Sequence, residues 1–308
     1  MPDFDASAPP VLGVDVGGTK ILTGLVGADG AVLCSRRSAM DRSNTESTLS
    51  SIRRAVEEFL AAEGAHARFS AVGFGLVGRC DPENGVWVRA DNLPIPEPVA
   101  LAEEMARRLG VPAFLDNDVF CATTAERYFG AGRRHRNFVL INAGTGLSAG
   151  AVTDGRLLRG AGNVAGEIGR TTMGLRDWNS GTLEEHCSGG GILARAGKER
   201  YADTRAVFAA AEAGDAHARA IVDDAVASLS EAAACLVTLY NPSALVLAGS
   251  VALNARVRGT LEEYVRARAY RSSLMDLKEV IASDLSEGTV GLIGAAQAAR
   301  VRMGAIDG

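Results

Sequence analysis

No stretch of the sequence approaches the about 18–20 apolar residues that a helix needs to cross a bilayer, and residues 1–10 have neither the basic nor the apolar segment of a secretion signal. Both absences point to a cytoplasmic address and away from a membrane. Basic charge is not in excess: 32 Lys and Arg stand against 37 Asp and Glu, a net charge of −5. No cationic face is expected for a phosphodiester backbone, which argues against nucleic acid as a ligand. The five cysteines (Cys34, Cys80, Cys121, Cys187, Cys235) form no C-x-x-C pair, and the four histidines have no zinc-finger spacing, so the thiols read as inert groups in a reducing compartment. Apolar residues, by contrast, are plentiful. They make up 47% of 308 residues with a mean hydropathy of +0.08, enough for a sizeable core, more comfortably two domains than one.

The order of the chain suggests an α/β architecture built twice. Val11–Val16, Ile21–Val26 and Ala31–Ser35 read as strands joined by glycine turns, followed by a helix over Thr48–Ala62 that stops at Gly64. A strand at Ser70–Gly75, a helix at Val99–Leu109, a strand at Pro112–Leu115 and a helix at Asp118–Phe129 come next. A second cycle opens with strands at Asn137–Asn142, Leu147–Thr153 and Arg156–Arg159. Helices fill 189–239, broken at Gly197 and Gly214, before strands at Ala244–Ala248 and Glu279–Ala282 and a closing helix at Val290–Arg300. Each cycle begins strand, Gly-Thr turn, strand, Asp-Gly turn, strand.

Three glycine patterns fail their context. Gly13–Lys20 approaches a P-loop, but a strand follows it where a P-loop feeds a helix. Gly73–Gly78 satisfies G-x-G-x-x-G, yet a turn-rich segment follows instead of the helix a dinucleotide site requires; Gly160–Gly166 fails in the same way. The turns Gly17-Gly18-Thr19 and Gly144-Thr145-Gly146 survive. Glycine lets backbone N–H groups approach an anion and threonine adds a hydroxyl, so paired turns could grip a polyphosphate. Asp116-Asn117-Asp118 lies where a strand gives way to a helix. Asp118 suits either an N-cap or the carboxylate that aligns a hydroxyl for phosphoryl transfer, and Asn117 either a turn or a contact to sugar hydroxyls. Glu167, in the glycine-rich Gly160–Arg170, suits polyol recognition or plain surface; Glu184 and Asn92 say less alone.

Taken together, these residues resemble the ROK family of repressors and sugar kinases. Asp15-Val16-Gly17-Gly18-Thr19-Lys20 is similar to its D-x-G-G-T-K loop, Asn92-Leu93 to its sugar loop, and Asn117-Asp118 with Ala122 and Glu126 to its N-D-x-x-x-A-x-x-x-E segment. Gly144-Thr145-Gly146 is similar to its second phosphate loop, Gly166-Glu167-Ile168-Gly169 to its G-E-x-G, and Asn241-Pro242 with Gly249 to a late nucleotide-side element. The resemblance implies an actin-like (ribonuclease H-like) two-domain fold with a cleft between the domains, divided as 10–117 plus 286–308 and 118–285. It implies ATP-dependent phosphorylation of a hexose at its 6-hydroxyl, glucose ahead of N-acetylhexosamines or fructose, by a homodimer. Asp118 would be the base, and Gly78, Asn92, Asn117, Glu167, Glu184 and Arg170 would surround the sugar. Asp15, Gly17, Gly18, Thr19, Lys20, Gly144, Thr145, Gly146 and Gly249 would hold ATP, Asp15 through Mg²⁺. The family's usual zinc ligands, a His after G-E-x-G and three cysteines before Glu184, are replaced here by Arg170, Leu175, Asp177 and Thr182, so no structural zinc is expected. The alternative class, a sugar sensor or transcription regulator of the same family, would carry a DNA-binding helix-turn-helix for which residues 1–10 leave no room.

Overall fold

The computed structural model describes residues 8–63, 68–285 and 288–304. The polar tail expected over residues 1–9 and the stop at Gly64 fall mostly outside these. Two compact units are present. One is Met1–Arg133 with Arg159–Val164 and Gly288–Gly308; the other is Arg134–Leu158 with Ala165–Glu287.

The first unit runs β1 Val11–Val16, β2 Lys20–Val26, β3 Val32–Ala39, α1 Thr45–Glu63, β4 Val72–Leu76, β5 Arg79–Asp81, β6 Val86–Arg89, α2 Leu101–Leu109, β7 Ala113–Asn117 and α3 Asp118–Phe129. The second runs β8 Phe138–Ala143, β9 Leu147–Thr153, β10 Arg156–Leu157, α4 Leu183–Cys187, α5 Gly189–Ala196, α6 Thr204–Glu212, α7 Ala216–Tyr240, β11 Ala244–Ala248, α8 Ala255–Arg268, α9 Arg271–Asp276 and β12 Glu279–Ala282. The last helix, α10 Val290–Arg302, returns to the first unit.

The two sheets have one topology. Strand order is β3-β2-β1-β4-β7 in the first and β10-β9-β8-β11-β12 in the second. In each, three strands meander antiparallel and two more add in parallel. Strands β1, β4, β8 and β11 are nearly continuous apolar runs because both faces of each sheet are covered. The segment after Gly78, expected as a loop, is the two-stranded β5–β6 hairpin; the helix that a dinucleotide site would demand directly after the glycines is not there.

Each unit has its own core, one gathered around Leu12, Phe59, Phe74 and Trp87, the other around Ile141, Val222, Leu245 and Leu261. Helix α10 lies close on the first sheet because Gly13, Gly24 and Gly73 present no side chain to it; a Cβ on Gly13 would stand 2.6 Å from the Leu292 carbonyl. Gly294 lets the same helix touch the α3 backbone at Cys121, where a Cβ would overlap the carbonyl. This contact differs from the boundary expected at 117/118: α3 stays with β7 in the first unit, packed against α10, and Arg159–Val164 joins it.

Candidate active site

Register aligns the first unit's candidate positions. Asp15, Gly75 and Asp116 are paired in one row across β1, β4 and β7, and Val16, Leu76 and Asn117 in the next. The Gly17–Lys20 turn, Gly78 and Asp118 therefore emerge from the same ends of three parallel strands, where open α/β sheets gather ligands. In the first turn, the Gly17 N–H donates to the Lys20 carbonyl at 3.0 Å. A Cβ on Gly18 would meet nothing within 4 Å, so packing does not require glycine there and the backbone is open to an anion. Asp15 sits under this turn against the first turn of α10, where burial pushes its pKa up to about 6 and Lys20 offsets part of the rise.

At the end of β7 the three polar residues divide their tasks. Asn117 is the N-cap: its Oδ1 accepts from the Val119 and Phe120 N–H groups at 2.9 and 3.3 Å, while its amide nitrogen donates to the Gly78 carbonyl at 2.8 Å. One amide hydrogen is left for a ligand. Gly78 has φ +90°, and a Cβ there would overlap the Arg89 carbonyl, so its glycine is demanded by the backbone. Asp118 accepts from the Val119 N–H at 3.0 Å. It is half-exposed between buried Asp116, Asn117, Val119 and Phe120.

Asp116, 1% exposed, carries a contact that sequence reasoning did not single out. Arg159 grips it with both terminal nitrogens, at 2.9 and 2.6 Å, and lies 5.1 Å over the Phe120 ring. Asn163, with φ +57°, accepts from Arg159 at 2.8 Å and donates to the Cys80 carbonyl at 3.2 Å. Asp116 also accepts the Asn117 N–H at 2.9 Å. The buried ion pair is thus the footing of the Asn117–Asp118 corner. Asn92 is exposed on the turn closed by the Ala90–Ile95 bridge.

In the second unit the Gly144–Gly146 turn joins β8 to β9, and the Gly144 N–H donates to the Gly146 carbonyl at 3.0 Å. Gly189 and Gly190, at the start of α5, donate to the Gly144 and Thr145 carbonyls at 2.7 and 3.1 Å. These two glycines buttress the loop and were not among the expected site residues; their only sequence signal is the Gly189–Gly191 run. Gly249, φ +85°, lies against the Gly144 backbone from the other side. Glu184 in α4 accepts from the Leu147 N–H through Oε2 at 2.9 Å, leaving its second oxygen available. Glu167 and Arg170 are exposed on the Gly160–Arg170 segment.

Among the described residues no group of three or more His, Cys, Asp and Glu gathers to hold a metal, and no helix is long and apolar enough to cross a membrane. Burial pushes the thiols of Cys80 and Cys121 well above their usual range, and that of Cys187 up to about 12. None of these three is a nucleophile at neutral pH.

The sequence profile of the ROK family matches residues 11–302. The chain belongs to the ROK family. Its ROK relatives include a glucokinase of Thermotoga maritima, 33% identical, the match covering 96% of this chain and 98% of the relative. The ROK family glucokinase of Streptomyces griseus, solved with glucose and AMPPNP, is 27% identical with a TM-score of 0.74 over 94% of this chain and 99% of that one. The ROK hexokinase of Thermus thermophilus is 29% identical with a TM-score of 0.76 over 96% and 99%. These ROK structures share the actin-like fold, whose duplicated sheet is seen here in both units.

Proposed function

We propose that this protein is a cytoplasmic, ATP-dependent hexose kinase that phosphorylates the 6-hydroxyl of its sugar, glucose foremost. The observation that carries the reading is Asp118, the one residue in the run from Asp116 to Phe120 that reaches the surface, at the carboxyl end of a parallel strand and at a helix N-terminus. The glucokinases and hexokinase among its relatives support the substrate class.

Phosphoryl transfer passes through a loose transition state, so alignment of the hydroxyl counts for more than strength of the base. Asp118 is held for that task by its bond to the Val119 N–H, behind which Asn117 and the Asp116–Arg159 pair fix the corner. Asn92, the remaining Asn117 N–H, Gly78, Glu167, Glu184 and Arg170 are the proposed contacts to the sugar. Gly17 and Gly144 spend their N–H groups across their own turns, so Gly18, Thr19, Thr145 and Gly146 are the proposed donors to phosphate oxygens, with Lys20 and Gly249 beside them. Asp15, one carboxylate beneath an open turn, fits Mg²⁺, which is usually held by one or two carboxylates together with substrate phosphates. When bound, that ion would neutralise charge on the β- and γ-phosphates.

A screen of ATP consumption across glucose, mannose, fructose, N-acetylmannosamine and N-acetylglucosamine, run beside Asp118→Asn, tests the reading. Turnover on one sugar is expected, falling by about 10³-fold in the variant. Sugar binding without turnover in either protein would make the chain a sensor instead.

A further inference from the structure

The segment 171–182 occupies the place where the family usually carries zinc, and its residues do not fit that ion. Arg170 is a cation, and Leu175 has no donor and packs against the second unit's core. Asp177 spends its carboxylate on the Asn179 N–H at 2.9 Å. Thr182 is closed in a capping box with Glu185 at the start of α4. Apart from one short 3₁₀ turn at Trp178–Ser180 the segment has no regular structure; the Leu183 N–H ties its ends by donating to the Thr171 carbonyl at 2.7 Å, and much of the rest is left to side chains.

They converge on His186. Its Nδ1 lies 3.0 Å from Asp224 Oδ2 on α7, and its Nε2 lies 3.0 Å from Ser180 Oγ and 3.3 Å from the Ser180 carbonyl. Ser180 Oγ in turn donates to the Asp177 carbonyl at 2.5 Å. Arg195 on α5 donates to the same Asp224 oxygen at 2.7 Å and to the His186 carbonyl at 3.4 Å. Burial acts to raise the Asp224 pKa, but hydrogen bonds from His186 and Arg195 outweigh it and hold the group below the usual carboxylate range. Three helices and the 171–182 segment thereby meet at the His186–Asp224 pair.

We propose that the His186–Asp224–Arg195 tie does in this chain what the metal does in the usual family motif: it fixes the 171–182 segment and α4, and so sets the position of Glu184. Two residues from His186 along α4, Glu184 accepts the Leu147 N–H beside the Gly144–Gly146 turn. His186, Asp224 and Arg195 are positioning residues. The part of Glu184 in binding sugar rests on the kinase reading; the tie does not.

The test uses the full chain and three variants, His186→Ala, Asp224→Asn and the milder His186→Gln. Tryptic cleavage after exposed Arg176 reports opening of the segment whether or not any sugar is turned over. Both His186→Ala and Asp224→Asn are expected to be cut there about tenfold faster than the parent, with His186→Gln between them. In the kinase assay the KM for sugar should rise about tenfold with kcat nearly unchanged, since uniform binding is what a displaced Glu184 loses. The purified parent should contain no stoichiometric zinc, and EDTA should change neither its melting temperature nor its cleavage rate. Stoichiometric zinc, acceleration by EDTA, or variants cut no faster than the parent would overturn the proposal. If no sugar is turned over, the kinase reading falls while the cleavage and metal measurements still decide the tie.

Discussion

Asp15, next to last in β1, has its carboxylate pressed to α10; a Cβ on Gly291 would stand 2.7 Å from its Oδ2. Its pKa, raised from 3.8 to about 6 chiefly by burial, means that the folded chain holds this proton more tightly than the unfolded one. The stabilising contribution is therefore complete below about pH 4, fades as pH rises through about 6, and above that the buried charge weighs on the fold. Asp15→Asn removes the charge and keeps the shape. Its melting temperature should exceed the parent's near pH 7.5, the gap closing toward pH 4, while turnover with Mg-ATP is lost. A gap that is the same at every pH would show that titration of Asp15 is not its source. A carboxylate whose charge burial disfavours in this way is a candidate for a functional group rather than a structural one. The spacing Asp15-Val16-Gly17-Gly18-Thr19-Lys20 makes this residue legible in the sequence. Asp116 is not legible, because its partner Arg159 is 43 residues away and no local pattern announces such a pair.

The repeat of strand, Gly-Thr turn and strand was readable as a pattern because both openings rely on turn chemistry, and it became two sheets of one topology. The bounds of α3, β9 and β11 follow from their punctuation by Gly, Asn and Asp, and β12 from its Val280-Ile281 pair. Helix α4, at five residues, is too short to show a period, and α8 buries only Val257, Leu261 and Val265 in a charged stretch. Residues Arg159–Val164 escaped for another reason. Arg159 looks like the end of a strand and the glycines after it like an irregular loop, yet the strand stops at Leu157 and the segment is claimed by the first unit through Arg159. Arg159→Met would leave the Asp116 carboxylate buried without its countercharge, at a cost of about 3 kcal/mol. Asp116→Asn added to that variant should recover much of the loss, because an amide has no charge to strand. Urea unfolding of the parent, the two single variants and the double variant measures the coupling. A loss below about 1 kcal/mol in Arg159→Met would mean that the segment is held by something else.

A ligand that binds the native chain and not the unfolded one stabilises the whole of what it binds by mass action, however few residues touch it. Glucose at about 100 times its Kd should add about 2.7 kcal/mol, a rise on the order of 5 °C in melting temperature for a chain of this size. The same measurement can separate contact from scaffold. Asn92 is exposed on the Ala90–Ile95 turn, whose packing rests on buried Leu93 and Ile95 instead. Asn92→Ala should therefore melt with the parent in the absence of sugar, because exposed side chains outside caps and networks contribute little to stability, and should lose most of the glucose-dependent rise. Loss of stability without sugar would make Asn92 part of the turn's framework, and an undiminished rise would remove it from the sugar's contacts. A chain that no hexose stabilises would lack the sugar on which the kinase reading depends.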